Sequence, residues 1–428
     1  MISDVEARRR NLIVAAAIVV GGVLTAAVYH FGRGQFLGEG YPNDTFLFLR
    51  ELRFSDFADV LRSAAAGDPY SIWSVYFPFT YIAFRPLLAF PWWLSFAVLF
   101  GTCIGHIALR CHRWCVEAGV ERTVSIAATA GIVGCAYPML LCIDRGNIEI
   151  VLLSLVVGFL VDVDRGRNWR ALVWIVPAMC IKFYPAALLA LFLRPKKFGP
   201  IVVAGVAFGV ISVTSFGLFT RPAVEELASF QQQVARFRQV YLVGNGSMGG
   251  SAGPWNAMKL LFLRATVPPE ARPVLMAQPL LSADLEFSIQ ALLRAYSLLV
   301  LAVAVYVAYH VARVETDRAR QAILLLLFMV LAPPGGADYK MVYVVVALVL
   351  ATRLGHVRPL ERWLVPLPAL TLIPKKYYFV PYVITDSGFA DVAVSVFVNP
   401  LLMITAAGLL CASAWIEART AAMDGKEA

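Results

Sequence analysis

The chain has 428 residues, 60% of them hydrophobic and 15% charged. Soluble globular proteins average about 45–50% apolar and about 25% charged residues; here no polar stretch is long enough to bury its own core, which excludes a separate soluble domain. The net charge of +9 sits in short basic loops between apolar blocks, which reads as membrane topology and not as nucleic-acid binding. The expected fold class is therefore an all-α polytopic membrane protein, with residues 1–428 as a single integral membrane domain.

Arg8, Arg9 and Arg10 precede the first apolar block, residues 12–31. This predicts a retained signal anchor with a cytoplasmic N-terminus. Residues 32–85 then form a first external loop. Asn43-Asp44-Thr45 opens it; Asp44 reads equally as a general base at the membrane surface or as a solvated loop carboxylate that caps a helix. In residues 55–65, Phe54, Phe57, Val60, Leu61 and Ala64 share one face at helical spacing. That pattern predicts an amphipathic helix lying on the membrane surface. Gly67-Asp68-Pro69-Tyr70 reads as a turn. The aromatic run from Tyr76 to Tyr81 reads as an interfacial belt, although such rings also stack on sugars.

Residues 86–109 and 123–142 form the second and third spans, and residues 147–163 the fourth. Asp144-Arg145-Gly146-Asn147-Ile148-Glu149 joins the last two. Its bland reading is a neighbour ion pair with a helix cap. Its functional reading is a polar anchor for an anionic or polyhydroxylated ligand. Residues 171–193 are apolar but basic at both ends, with Arg170 before and Arg194, Lys196 and Lys197 after. A break at Lys182-Phe183-Tyr184-Pro185 into two short re-entrant helices keeps both basic clusters on one side. Lys182 has no local partner in its apolar stretch, and such charges are usually functional.

Residues 201–219 run outward to a second external loop, 220–286. Its start is amphipathic, with Val224, Leu227, Phe230, Val234 and Phe237 on one face, and its middle is glycine-rich around Asn245-Gly246-Ser247. Blocks at 287–311, 322–332, 341–351, 364–373 and 392–415 follow. The total is about ten spans, or about twelve with the re-entrant pair counted as two. Lys340, beside Asp338 and Tyr339, and the pair Lys375-Lys376 fall at the outer ends of short helices. Each can snorkel to lipid phosphate; a bound phosphate accounts for them together with Lys182.

The seven cysteines lie in or beside apolar segments, and the five histidines are scattered. Cys111-His112-x-x-Cys115 fits no common zinc spacing. No Walker loop occurs. No metal and no cofactor are expected.

Asp44, Gly67-Asp68-Pro69-Tyr70 with the aromatic-Pro segment after it, Arg145-Gly146-Asn147 and Lys182-Phe183-Tyr184-Pro185 stand in an order that resembles family 87 glycosyltransferases of the glycosyltransferase-C superfamily. Asn245-Gly246-Ser247 resembles the Asn-x-Ser of the family's later outer loop. The resemblance implies a glycosyltransferase-C-like helical bundle in the plasma (inner) membrane, with its site on the non-cytoplasmic face. It implies an inverting transfer of a sugar, typically mannose, from a polyprenyl-phosphate donor to a glycolipid or glycan acceptor. It maps an acidic base onto Asp44. Lys182, Lys340, Arg145 and Lys375 would contact the donor phosphate, and Asn147, Tyr184, Tyr70, Tyr76 and Asn245 the substrates. Where relatives often carry a histidine near the end of a late helix, this chain has Asp338-Tyr339-Lys340. The rival class is a lipid or polysaccharide transporter or flippase, against which stands the lack of an inverted repeat. A glycan ligase or polymerase would carry more histidine in its outer loops.

Overall fold

The computed structural model describes residues 4–37, 52–71, 74–193, 198–244, 253–267, 282–335, 338–354, 358–375, 379–381 and 391–424. These residues form a helical bundle, as the composition predicts. A three-residue strand pair, Phe379–Pro381 with Asp391–Ala393, is the sole β structure among them.

Five helices are long and apolar enough to cross a membrane. They lie in α1 (Asp4–Leu37), α4 (Trp92–Glu117), α9 (Phe198–Phe216), α12 (Ala283–Tyr309) and α16 (Ser395–Asp424). α5 (Arg122–Cys135) and α6 (Tyr137–Arg145) pass the same test together, bent by 53° at Ala136. The remaining apolar blocks, counted as spans from the sequence, form helices that are not long enough to cross a membrane by themselves. They are α7 (Glu149–Asp164), α8 (Asn168–Ile181), α13 (Arg318–Leu331), α14 (Val342–Thr352) and α15 (Pro366–Thr371). α14 has 11 residues; at about 1.5 Å per residue it covers roughly half of a hydrocarbon core about 30 Å thick. Every residue of α14 is buried, and so are most of those in α7 and α13. Helices that are apolar all round belong inside a protein, and these three form the centre of the bundle.

The chain breaks at Lys182, as expected. α8 ends at Ile181, Lys182 is extended (φ −146°, ψ 137°), and a 3₁₀ helix runs over Tyr184–Phe192 with Pro185 in its first turn. Nine residues of 3₁₀ helix are unusual, because its hydrogen bonds are poorer than α-helical ones.

The two amphipathic segments of the long loops behave differently. α2 (Ser55–Ala65) forms where the periodicity places it, but protein covers its apolar face. Phe57, Val60, Leu61 and Ala64 are buried, and the Phe57 ring meets Phe84, Phe96 and Phe100. The expectation that this face lies on the membrane is corrected: α3 (Pro78–Phe84) and α4 consume it. In α10 (Ala223–Phe237), by contrast, Val224, Leu227 and Val234 are exposed. α10 continues into a π turn, Arg238–Val243, braced from behind by α11 (Pro254–Thr266). Trp255 donates its indole N–H to the Leu242 carbonyl at 3.0 Å, and the buried Lys259 ammonium donates to the Gly244 carbonyl at 2.8 Å.

Candidate active site

The site is assembled at the turn between α6 and α7. Gly146 closes α6 in the left-handed region (φ +64°), where a Cβ would lie 2.8 Å from that of Phe57. Glycine therefore allows the left-handed conformation and also lets α2 press against the turn. Phe54 N–H donates to the Asp144 carbonyl at 2.8 Å, which pins the start of α2 to the end of α6.

Asp144 and Arg145 do not pair with each other. Asp144 faces Arg53 at 3.3 Å, whereas Arg145 Nη2 lies 2.5 Å from Asp56 Oδ1 in the first turn of α2. Asn147 does two things at once. Its amide oxygen accepts from the Glu149 backbone N–H at 3.0 Å and so caps α7; its amide nitrogen donates to Asp56 Oδ2 at 2.6 Å. Both oxygens of Asp56 are thus held in place, with the side chain 16% exposed.

Glu149 is fully buried at the start of α7 and gathers a second group of residues. Its Oε1 accepts from Lys182 Nζ at 2.6 Å. Its Oε2 accepts from Tyr343 Oη at 2.8 Å and from the Tyr184 hydroxyl; the two tyrosine oxygens are 3.0 Å apart. The broken backbone at Lys182 is what turns the lysine and Tyr184 toward one carboxylate. Three aromatic faces surround the cations: Lys182 Nζ is 5.0 Å from the Tyr76 ring centroid and 5.9 Å from that of Tyr339, and Lys340 Nζ is 5.1 Å from that of Tyr184. Asp56, Arg145, Glu149, Lys182 and Lys340 together carry a formal charge of +1. Among the described residues named here the arrangement offers one more cation than acid, a held carboxylate and hydroxyl-bearing rings in one place.

Of the sequence-predicted residues, Arg145, Asn147, Lys182, Tyr184, Tyr76 and Lys340 come together here. Tyr70 does not. Its hydroxyl donates to the Tyr76 carbonyl at 3.0 Å and its own carbonyl accepts from Gln233 at 2.8 Å, so it is a strut between the segment after α2 and α10. Lys375 turns back on α15, donating to the carbonyls of Leu370 at 2.6 Å and Ile373 at 3.1 Å; no described contact joins it to the cluster. Asp68 fills the turn role read for it. It accepts from the N–H groups of Tyr70 and Ser71 and pairs with Arg221 at 2.8 Å. Asp44 and Asn245 lie outside the described residues. Among the described residues no His/Cys/Asp/Glu group could hold a metal ion. Sequence reasoning did not single out Asp56, one polar position of an amphipathic helix, or Tyr343, one ring in an apolar run.

The family model for glycosyltransferase family 87 matches residues 74–334, more than half of the chain. The chain belongs to glycosyltransferase family 87. It is a membrane glycosyltransferase. No curated protein and no solved structure matches it. The matched stretch of this glycosyltransferase contains Tyr76, Arg145, Asn147, Glu149, Lys182 and Tyr184. Asp56 reaches the cluster from before that stretch, and Lys340 and Tyr343 from after it.

Proposed function

We propose that the enzyme moves a sugar, mannose by family resemblance, from a polyprenyl-phosphate donor to a glycolipid or glycan acceptor on the non-cytoplasmic face of the plasma membrane. The observation that carries this reading is the single surplus positive charge of the Asp56–Arg145–Glu149–Lys182–Lys340 cluster. A sugar phosphodiester of a lipid carries one negative charge, so its binding neutralises the cluster. A diphosphate or a nucleotide would bring more charge than the cluster balances.

The apolar surroundings favour the same donor. A cavity of about 320 Å³ begins just after Tyr184 and is lined by Ala186, Ala187 and Ala190 of the 3₁₀ helix with Val307 and Phe328 across from them. A prenyl tail placed there leads its phosphate up to Lys182. The acceptor hydroxyl then attacks the anomeric carbon. The carbon–oxygen bond to phosphate breaks, the phosphate keeps the electron pair, and configuration inverts. Lys182 and Lys340 stabilise the departing phosphate, a role in which fixed charges in a dry site act strongly. Glu149 and the two tyrosines hold Lys182 in position for it.

A carboxylate of the first outer loop takes the acceptor proton. Asp56 is the one that the geometry supports, because Arg145 and Asn147 orient it beside the cluster. Asp44 is the candidate that motif order supports. One assay separates them: transfer of labelled mannose from a short-chain polyprenyl phosphate by the purified Asp56→Asn and Asp44→Asn enzymes. Loss of a general base lowers kcat by about 10²–10⁴-fold. That loss of kcat is expected in Asp56→Asn. A loss confined to Asp44→Asn would move the role to Asp44, and wild-type rates in both would remove this loop from the proton transfer.

A further inference from the structure

Beside the site lies a groove that the donor reading does not use. It has a volume of about 560 Å³ and runs between α10 with its π turn and the first turns of α12, a size within the roughly 300–1,000 Å³ range of small-molecule sites. Phe230 and Val234 supply apolar lining. Gln231, Arg238 and Gln239 stand on one wall, and Gln290, bonded to Glu286 at 3.0 Å, stands on the other. The side chains of Gln231, Arg238 and Gln239 make no hydrogen bond to another described residue. π turns inside helices are frequent at functional sites; this one sets Arg238, Gln239 and Val243 along the groove.

The groove adjoins the cluster through two contacts. The Phe230 ring lies 5.6 Å from that of Phe77 and 5.3 Å from that of Tyr70. The Tyr70 hydroxyl holds the Tyr76 carbonyl, and the Tyr76 ring faces Lys182. The end of α13 approaches from the other side: a Cβ on Gly335 would be 3.4 Å from Phe237 and Leu242.

We propose that this groove holds the saccharide headgroup of the acceptor, a neutral polyhydroxylated sugar carried on a lipid. Amide groups donate and accept at once, as sugar hydroxyls require, and an aromatic ring in the lining suits a pyranose ring. Arg238 and Glu286 cancel in formal charge, so the groove lacks the surplus cation that marks the donor cluster. The exposed Val224 and Leu227 of α10 extend the apolar surface away from the groove, where the acceptor's lipid chain continues into the bilayer.

The inference rests on the glycosyl-transfer reading, and its test is independent of turnover. The full-length enzyme is photolabelled with an alkyl mannoside and an alkyl glucoside, each bearing a diazirine beside the sugar, and the labelled peptides are identified by mass spectrometry. Label is expected in residues 223–243 and 283–290, suppressed by excess unlabelled octyl glycoside. Val234→Trp fills the groove, and Gln239→Ala removes a wall contact at an exposed position that leaves folding intact; each should lower labelling roughly tenfold, the scale of one or two lost hydrogen bonds. In transfer assays Gln239→Ala should raise the acceptor KM by a similar factor and leave the donor KM unchanged. Label that falls elsewhere, or that persists in both variants, overturns the groove assignment. Groove labelling in an enzyme that consumes no polyprenyl-phosphate sugar would keep the groove and overturn the donor.

Discussion

Two charged clusters stand at opposite ends of α13 and α14, and they differ in kind. At the far end from the candidate site, Arg358 bonds Glu315 at 2.9 Å and Glu361 at 3.2 Å and also pairs with Glu417; Arg320 bonds Glu361 at 2.8 Å, and Ser413 adds a further hydrogen bond at 3.0 Å. Its cations are guanidinium groups, which match carboxylates with several N–H donors in a fixed fork. The network ties the π turn after α12, α13, the 3₁₀ turn Pro359–Trp363 and α16 together. At the site end the surplus charge is on lysine. Lys182 bonds the buried Glu149 carboxylate and faces the Tyr76 ring, and Lys340 faces the Tyr184 ring. At the arginine end three carboxylates hold two cations, and each cation is bonded to carboxylate, which suits a brace; at the lysine end the five described charged residues carry one more cation than acid, which suits an anion.

The largest effect expected from this contrast is on stability, at the arginine end. Arg358→Ala removes the arginine bonded to the buried Glu315 carboxylate and one of the two arginines bonded to Glu361. Breaking a buried ion pair on one side costs about 3–5 kcal/mol, so thermal unfolding of the detergent-purified protein should shift down strongly, or the protein should fail to accumulate. An Arg358→Ala protein as stable as wild type would break the comparison. The next effect is on turnover, at the lysine end. Lys182→Ala should cost about 10–100-fold in kcat/KM for the lipid-phosphate donor, the scale of a charge-assisted contact worth about 1.5–3 kcal/mol. Lys340→Ala should cost less, because Lys340 makes a ring contact where Lys182 also holds Glu149. Unchanged donor kinetics in both folded variants would remove the phosphate from this cluster.

The sequence exposed the site where a charge interrupts an apolar run. Arg145, Asn147, Lys182 and Tyr184 stand out for that reason, and the break at Lys182 followed from basic residues at both ends of one block. Asp56 was hidden because its helix has a polar face on which any acid looks solvated; only the fold brings Arg145 and Asn147 to it from about ninety positions away. Tyr343 was hidden because a ring in an apolar stretch reads as core until its hydroxyl meets Glu149. Lys375 looked like its neighbours in sequence, yet its ammonium caps the carbonyls of its own short helix. α2 and α10 have the same amphipathic pattern, and periodicity predicts an apolar face without saying whether protein or lipid will cover it.

The most direct measurement is donor use by the purified wild-type enzyme with a membrane glycolipid extract as acceptor. Labelled mannose would be offered on a short-chain polyprenyl monophosphate, on the corresponding diphosphate, and on a guanosine diphosphate. A site with one surplus positive charge and an apolar cavity along the 3₁₀ helix after Tyr184 predicts transfer from the lipid monophosphate and little from the other two. Transfer from the nucleotide or from the lipid diphosphate, with the monophosphate left intact, would contradict it.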